Sequence, residues 1–493
     1  MMRPSTTWRR RADRSASRPA TRVSTAVVLI LAVLAAAPAI AAELRLGTAA
    51  VKITPPLGIP LAGYYSLRGS DGVLDELYAK AAVLDDGQTR AAMVVCDLIT
   101  LPRNTVLAAR KPVERKTGIP GEHVMISATH THTGPVLTCG SSYDELTGGA
   151  REPVKKYTAD LPERIAQAVV EAQQRLTPVR VSYARGREDR LAFNRRFWMD
   201  DGTVGWNPGK HNPHTIRPVG PVDPEIGVVY FEAAGGKPSL TYVNYAMHPD
   251  TTGGLAFSAD YPGVLARRLA EYEGPEMLTI FGNGACGNLN HVNVEWSNRQ
   301  HGPTEAVRLG TILAGDVLKA YMDLKPASDV SLRVRRQIVQ LPPAKVTEEE
   351  LAQARKIVQR GPRAKFLEQV QAYKAIDAAA RQGQPWEAEV QIIALGKELA
   401  WVALPGEVFV ELGLNVKAVS RFRQTQIVEL ANGSFGYIPN RSAYAEGNYE
   451  VVSARCAEGS GEMLVVAAAR MLADLVPDSP RSTADRKIIV PPK

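Results

Sequence analysis

A chain of 493 residues is long enough for one large domain or for two or three domains of ordinary size. Hydrophobic residues make up 45% of it and charged residues 22%, values typical of globular proteins, so a disordered chain is excluded. Most of the formal net charge of +8 lies before Ala42, where seven arginines and one aspartate give +6, and the charge therefore does not indicate a nucleic-acid partner.

The first 41 residues have the three parts of a secretory signal peptide. Arginines are followed by an apolar run at 26–37 and by Ala39-Ile40-Ala41, a small-residue cleavage site. Export to the periplasm or the extracellular space is therefore predicted. An uncleaved anchor is the alternative, although the run is shorter than the ~20 residues that a spanning helix needs. No later run of that length occurs, so the mature chain is predicted to lack a transmembrane helix.

The four cysteines are scattered and lack the spacing of a zinc finger or a redox motif. One or two disulfides are compatible with export. Cys96 lies in an apolar run, however, and is predicted to be a buried free thiol.

Predicted strands and helices alternate along the mature chain. Strands are expected at 44–53, at 77–84 and 91–99 as a hairpin, and at 123–126, 179–183, 227–232, 240–246, 278–281, 388–395, 399–404 and 427–430. Helices are expected at 154–176, 409–419 and 461–475. A capping box of Thr347 and Glu350 begins a helical insertion at about 346–383, interpreted as a solvated surface feature. The fold class is therefore α/β, with mixed sheets flanked by helices.

Two loops have compositions that bear on a site. The loop at 58–72 contains glycine and tyrosine and is of the irregular kind that lines a pocket. The loop at 282–291 has enough glycine to bring backbone N–H groups close to a ligand. Because it lacks the βαβ context of a dinucleotide fingerprint, a dinucleotide site is rejected.

The stretch Ser127–Pro135 carries the clearest chemical signal. It follows a short buried strand and ends in a Gly-Pro breaker, so His130 and His132 lie at a strand's end. If the strand persists that far, residues two apart face the same side and both imidazoles point into one cavity. Neutral imidazole suits zinc, copper, iron or nickel, although most His-x-His pairs are surface or hydrogen-bonded core residues.

Three later strands also end in a potential ligand or acid–base group. These groups are His248, Glu407 and Tyr437. Because open α/β sheets collect function at strand ends, the four ends can converge on one metal site. Two or three nitrogen and carboxylate ligands with a vacant position are typical of catalytic zinc. As alternatives, Glu407 caps the following helix and Tyr437 is an ordinary core tyrosine.

At these positions the sequence resembles the neutral/alkaline, non-lysosomal ceramidase family. The resemblance covers nearly the whole predicted mature chain, and His-Thr-His-Thr-Gly-Pro at 130–135 is its most specific element. The other matching stretches are Gly47–Pro55, Asp75–Ala81, Val95–Asp97, Asn194–Arg195, Met247–Pro249, Pro405–Glu407 and Gly436–Tyr437.

The resemblance implies zinc as the cofactor and a ligand set of His130, His248, Glu407 and Tyr437. It implies that His132 is the acid–base or oxyanion-stabilising group and that Arg195 and Tyr449 face the scissile carbonyl. The implied activity is hydrolysis of the amide bond of an N-acyl, ceramide-like lipid through a zinc-activated water. The expected partner is therefore a small-molecule lipid and not a nucleic acid, and peripheral contact with a membrane is compatible with it.

Two departures from the family pattern leave the substrate open. Asn290 stands where the family has an active-site serine, which makes it a candidate substrate-binding residue. The chain also ends soon after the catalytic part, so residues 42–493 are expected to form a single catalytic domain without the family's C-terminal β-sandwich domain. A non-catalytic lipid- or glycan-binding protein on the same fold is one alternative, and a metal-dependent esterase is another.

Overall fold

The computed structural model describes residues 43–476, and the predicted signal peptide lies outside this range. No helix between residues 43 and 476 combines the length and the hydropathy that a bilayer crossing requires. The strands, numbered in chain order, are β1 (Arg45–Lys52), β2 (Gly72–Val73), β3 (Tyr78–Asp85), β4 (Arg90–Cys96), β5 (Val124–Ala128), β6 (Thr177–Arg187), β7 (Phe193–Asn194), β8 (Arg196–Met199), β9 (Val204–Trp206), β10 (Thr215–Pro218), β11 (Glu225–Ala233), β12 (Lys237–Tyr245), β13 (Ala256–Phe257), β14 (Leu278–Asn283), β15 (Leu289–Asn290), β16 (Lys325–Pro326), β17 (Leu332–Leu341), β18 (Trp386–Leu395), β19 (Leu399–Ala403), β20 (Glu407–Val408), β21 (Gln424–Val428) and β22 (Tyr437–Ile438).

The α-helices of the same range are α1 (Arg103–Thr117), α2 (Asp144–Thr147), α3 (Glu152–Gln174), α4 (Asp260–Glu273), α5 (Pro303–Ala320), α6 (Glu348–Arg360), α7 (Phe366–Ala380), α8 (Val410–Val419), α9 (Arg441–Glu446), α10 (Tyr449–Ser453) and α11 (Ser460–Leu475). Helix α6 begins as predicted, because Thr347 and Glu350 form the reciprocal hydrogen bonds of a capping box. Helices α6 and α7 are the two helices of the insertion.

The larger sheet has the strand order β14-β12-β11-β6-β1-β3-β4-β5, with β16 beside β6. Most neighbours are antiparallel, but β4 with β5 and β12 with β14 are parallel pairs. The predicted hairpin is present as β3 and β4, in which Asp85 opposes Arg90. Its turn is closed by Asp86, whose side chain accepts hydrogen bonds from the backbone N–H groups of Gln88 (2.9 Å) and Thr89 (2.6 Å).

A smaller sheet, ordered β17-β18-β19-β21, packs face to face against the larger one. Tyr242 of the larger sheet and Trp401 of the smaller one meet edge to face in this interface, with 5.8 Å between ring centroids. Both side chains are almost completely buried. Burial of one large aromatic side chain contributes about 2 to 3 kcal/mol, so the paired inner faces form a substantial core.

Helices cover the outer faces of both sheets. Helix α3 buries the stripe Leu161, Ile165 and Val169 beside α1 on the larger sheet, and α4 and α5 cover the other end of that sheet. Helices α8 and α11 cover the smaller sheet. The predicted class, mixed sheets flanked by helices, is therefore confirmed.

Several strands of the two packed sheets end close to one another. Ser127 in β5 forms an isolated bridge with Ala431, which follows β21. The backbone N–H of Glu429 donates to the carbonyl of Asn283 at the end of β14, at 3.0 Å. β14 also lies parallel to β12, so these two strands end at the same edge of the sheet. Together with the two contacts above, this places the segments that follow β5, β12, β14 and β21 side by side. This is the edge at which the sequence predicted a site.

Candidate metal centre

The two histidines of the His-x-His element are brought together by a turn and not by a strand. Strand β5 ends at Ala128, so the condition for alternation along an extended chain is not met. His130 instead has a φ of 76°, in the left-handed region that few non-glycine residues adopt. Its backbone N–H donates to Leu98 at 2.9 Å, and that of His132 donates to Pro249 at 3.1 Å. These bonds hold the strained turn, and such strain is often found at functional sites.

Three imidazoles converge at this turn. The ring centroids of His130 and His248 are 4.5 Å apart, and those of His130 and His132 are 4.9 Å apart. One ligand atom from each of the three lies within 4.8 Å of those of the other two. His130 and His248 are 2% and 1% exposed. The histidines that come after β5 and β12 therefore lie in one cluster, as the strand ends predicted.

Backbone carbonyls fix the tautomers of two of these rings. Nδ1 of His130 lies 2.8 Å from the carbonyl oxygen of Ile99, and Nδ1 of His248 lies 2.9 Å from that of Cys286. A carbonyl oxygen only accepts, so each Nδ1 carries the proton and each Nε2 keeps its lone pair. This arrangement is typical of metal-binding histidines, whose second nitrogen donates to a carbonyl or a carboxylate.

Glu407 completes this cluster. Its Oε2 atom is 3.4 Å from Nε2 of His130 and 3.3 Å from Nε2 of His248. All three atoms are buried and none has a hydrogen-bond partner among the described residues. Unpartnered buried polar atoms are costly, and a cation between these three atoms would give each of them a partner. Two imidazole nitrogens and a carboxylate are also the donor set that zinc prefers, so these residues fit a zinc ion.

The ionisation states suit the same role. Burial, with the positive charge of Arg195, lowers the pKa of His248 to about 3. Burial alone would raise the pKa of Glu407 and lower that of His130, but their mutual attraction outweighs it. The pKa of Glu407 is consequently held well below its usual value and that of His130 is raised. Glu407 is therefore a carboxylate, the form in which it could bind a divalent ion.

Tyr437 and Arg195 lie together beside Glu407. Tyr437 is the register partner of Glu407 in the parallel pair of β20 and β22. Nη2 of Arg195 donates to the hydroxyl of Tyr437 at 3.0 Å and to the carbonyl of Gly287 at 2.8 Å, while Nε donates to Glu450 at 2.9 Å. Arg195 is thus a buried cation held in one orientation. Burial, followed by the charge of Glu407, raises the pKa of Tyr437 well above its usual value.

Comparisons with known proteins agree with this architecture. No family model matches the sequence. A curated neutral ceramidase from Mycobacterium tuberculosis is 26% identical over 200 residues, and the match spans 38% of this chain but only 30% of that relative. The crystal structure of the neutral ceramidase from Pseudomonas aeruginosa has a TM-score of 0.68 at 20% identity, over 90% of this chain and 76% of that one.

The chain has the neutral ceramidase fold. A structure described as a ceramidase complexed with C2 gives a similar match, with a TM-score of 0.65, 18% identity and coverage of 90% of this chain and 77% of the other. The resemblance predicted from the sequence is therefore confirmed.

Tyr449 joins Tyr437 to a group of aromatic rings. Its ring centroid is 5.4 Å from that of Tyr437, 4.3 Å from that of Trp206 and 5.7 Å from that of Phe366. Tyr65, from the loop at 58–72, is 6.4 Å away. Phe366 begins α7, so the insertion interpreted as a solvated surface feature also contributes a ring beside a predicted site residue. We call Tyr65, Trp206, Phe366 and Tyr449 the aromatic wall.

Asn290 lies in β15, which pairs with β7, the strand immediately before Arg195. Its side-chain amide donates to Asn207 at 2.9 Å, and its side-chain oxygen accepts from the backbone of Val292 at 3.0 Å. These bonds keep the loop after Gly287 in place. A role for Asn290 in substrate binding stays a prediction.

Sequence reasoning missed Glu429, which connects two parts of the cluster formed by His130, His248 and Glu407. One oxygen of this completely buried carboxyl group accepts from the backbone of Cys286 at 3.1 Å and of Val408 at 2.9 Å. It thereby joins the residue whose carbonyl orients His248 to the residue that follows Glu407. Burial raises the pKa of Glu429 to about 8. The predicted strand at 427–430 includes Glu429, whereas β21 ends at Val428, so the strand-end criterion passed over this residue.

Sequence reasoning also missed Asp250, two residues after His248, and did not assign Tyr64. Asp250 lies beside His132, with 3.6 Å between its Oδ1 and Nδ1 of the imidazole. The hydroxyl of Tyr64 donates to the same oxygen at 2.6 Å. Burial lowers the pKa of His132 to about 4. The position of Asp250 next to a predicted ligand was the one available signal.

The four cysteines are free, and Cys96 is buried as predicted. The thiol of Cys286 contacts Glu429 and His248: its Sγ lies 2.9 Å from Oε1 of Glu429 and 3.3 Å from Nδ1 of His248.

Proposed function

We propose that this protein is an exported, zinc-dependent amidohydrolase of the neutral ceramidase type that cleaves the amide bond of an N-acyl lipid. One observation carries the proposal: the unpartnered Nε2 atoms of His130 and His248 both lie within 3.4 Å of the unpartnered Oε2 atom of Glu407. The resemblance adds Tyr437 as the fourth ligand. The fold and the partial sequence match to a neutral ceramidase support the reaction class.

The proposed metal ligands and the residues around them have different roles in the reaction. Zinc, when bound, supplies a Lewis acid that polarises a carbonyl and acidifies water. His132 is neutral at pH 7, since burial lowers its pKa to about 4, and it accepts a proton from the attacking water before giving it to the leaving nitrogen. Arg195 and Tyr449 donate to the carbonyl oxygen as negative charge develops there. Arg195 costs no reorganisation in this role, because Glu450 and Gly287 already hold it.

The aromatic wall supports an apolar substrate. Phe366 and Tyr449 are nearly parallel, with an interplanar angle of 27°, and Phe366 and Trp206 make an angle of 19°. Such ring faces offer contact area to a hydrocarbon chain at low entropic cost, because the side chains are already ordered. A fatty acyl or long-chain amine portion lying along this wall places its amide beside Tyr449 and Arg195.

Export and peripheral membrane contact belong to the same proposal. The arginine-rich and apolar sequence before residue 42 supports export. Leu57, Leu67 and Leu74, in or next to the loop that carries Tyr64, are 57%, 45% and 54% exposed, which supports contact with a lipid surface.

Metal analysis combined with fatty acid release tests the proposal. The purified wild-type protein should contain about one zinc per chain and release fatty acid from a panel of N-acyl lipids of different head groups. His130→Ala should lose both properties. His214→Ala is the control, because His214 is exposed and paired with Asp200. One zinc per chain with no turnover on any substrate would support the binding-protein alternative, and turnover of esters only would support the esterase.

A further inference from the structure

His132 is fixed by two loops besides its own. Its backbone N–H donates to the carbonyl of Pro249 at 3.1 Å, which ties it to the residue after His248. Its carbonyl accepts from Nη2 of Arg68 at 2.9 Å, which ties it to the loop at 58–72. Both of its ring nitrogens are buried and have no hydrogen-bond partner among the described residues. The backbone of His132 is therefore fixed, and the ring's direction depends on its neighbours.

Asp250 is the charged neighbour on the Nδ1 side, with Oδ1 at 3.6 Å. That separation is an ion-pair distance and is longer than a hydrogen bond. Catalytic contacts of this kind are often long before substrate binds and shorten in the complex.

Asp250 is held by a hydrogen bond to its carboxylate and by the anchored backbone that follows it. The hydroxyl of Tyr64 donates to its Oδ1 at 2.6 Å, and the ring of Tyr64 meets that of His132 edge to face at 5.8 Å. The residues after it are anchored by Asp260, whose Oδ2 accepts from the backbone of Thr251 at 3.0 Å and of Thr252 at 2.7 Å. Asp260 and its bonds are buried. Asp250, whose side chain is 32% exposed, is thus held at its carboxylate by Tyr64, and the backbone that follows it is anchored.

A fixed carboxylate beside Nδ1 determines how a neutral imidazole carries its single proton. The proton is stabilised on Nδ1, where it faces the negative charge, and the lone pair is then on Nε2. A general base needs that lone pair to face the reacting atoms. The carboxylate also stabilises the imidazolium that forms after proton transfer, without taking the proton itself.

We propose that Asp250 and Tyr64 are positioning residues for His132, Asp250 by setting the tautomer and direction of the imidazole and Tyr64 by holding Asp250. The inference rests on the proposed function, because it concerns the proton carrier of that reaction. During turnover, Nε2 of His132 takes a proton from the attacking water and releases it to the leaving amide nitrogen, while Asp250 remains a carboxylate.

The tautomer can be measured without any substrate. Zinc-loaded protein labelled with ¹⁵N-histidine is compared by NMR as wild type and as Asp250→Asn, and the signals missing in His132→Ala identify His132. We expect the proton on Nδ1 in the wild type and a change in the His132 nitrogen shifts in Asp250→Asn. A proton on Nε2 in the wild type, or unchanged His132 signals in the variant, overturns the inference.

A double-mutant cycle tests whether Asp250 acts through His132. Asp250→Asn should lower kcat about 10- to 100-fold, as loss of a supporting contact usually does, with KM changed less than about twofold. In the His132→Ala background it should cause no further loss, whereas a merely structural role would give the same loss in both backgrounds. Tyr64→Phe should reduce kcat by a few fold.

The chain provides a matched control and a way to separate the two proposals. Asp200→Asn removes the carboxylate of an exposed pair with His214, joined at 2.8 Å, and should leave kcat unchanged. If the wild type hydrolyses no N-acyl lipid, the proposed function fails, and the NMR comparison still decides whether Asp250 sets the tautomer of His132. If the wild type is active and the cycle is additive, only the positioning role fails.

Discussion

Glu389 and Glu407 show how differently one type of side chain can be used in this fold. Glu389 is completely buried and accepts hydrogen bonds from Arg110 at 2.7 and 3.0 Å and from Arg103 at 3.2 Å. Glu407 lies against His130 and His248 with its side chain 15% exposed, and its buried Oε2 atom has no hydrogen bond. Burial raises the pKa of both carboxyl groups, but the arginines beside Glu389 and the histidines beside Glu407 outweigh it, so both pKa values are lowered.

The difference lies in hydrogen-bond satisfaction and not in acidity. The carboxylate of Glu389 is matched by guanidinium groups, so its environment is complete within the chain. Glu407 points an unpartnered oxygen at two unpartnered nitrogens, an arrangement that could hold a metal ion. A lowered pKa alone therefore does not identify the functional carboxylate.

The largest expected effect is on metal binding at Glu407. Glu407→Gln removes the negative ligand, and we expect loss of stoichiometric zinc and a fall in kcat of more than ~100-fold, beyond the usual effect of a supporting residue. Plasma emission spectrometry and fatty acid release measure the two quantities. Glu458→Gln, at an exposed position, is the control. Retention of one zinc per chain by the Glu407 variant would contradict the ligand assignment.

The matching change at Glu389 should act on stability instead. Glu389→Gln leaves two arginines with a neutral partner, and we expect the free energy of unfolding to fall by about 3 kcal/mol. Zinc content and kcat of the folded protein should be unchanged. Urea unfolding measures the first quantity. Glu387→Gln, at an exposed position 3.5 Å from Arg103, should change stability by less than about 0.5 kcal/mol.

The stabilisation by Glu389 should also depend on pH. Its pKa is lowered in the folded state, so its contribution is fully present above its unfolded pKa, about 4.5, and is lost as the pH falls through the lower folded value. The stability difference between wild type and Glu389→Gln should therefore be constant from pH 6 to 7 and shrink below pH ~4.5. A difference that grows on acidification contradicts the depressed pKa.

The smallest expected effect is a change in KM after substitution in the aromatic wall, which contains neither Glu389 nor Glu407. Phe366→Ala removes a 44% exposed ring that packs against Tyr449. We expect KM for a long-chain N-acyl lipid to rise about three- to tenfold, corresponding to roughly 0.7 to 1.4 kcal/mol of lost apolar contact. KM for a short-chain analogue should not change. Leu367→Ala, at the next position and 38% exposed, is the control.

Much of the fold and part of the site were predictable because the determining interactions are local. The Asp86 turn, the capping box at Thr347 and the apolar stripe of α3 each depend on residues a few positions apart. His130, His248 and Glu407 were also predictable from local signals, because hydrophobic strands and the residues that end them can be recognised in the sequence. The His-Thr-His-Thr-Gly-Pro element gave the resemblance to the ceramidase fold.

The sequence by itself thus determined the order of the elements and which strands end in chemical groups. Only the tertiary structure decided that His130 turns through a left-handed conformation, that Asp250 lies beside His132, and that Phe366 of the insertion packs on Tyr449. It also decided that Glu389 is satisfied while Glu407 is not. The physical reason is that these contacts join residues distant along the chain, and their distances are set by the packing of the two sheets and not by any local preference.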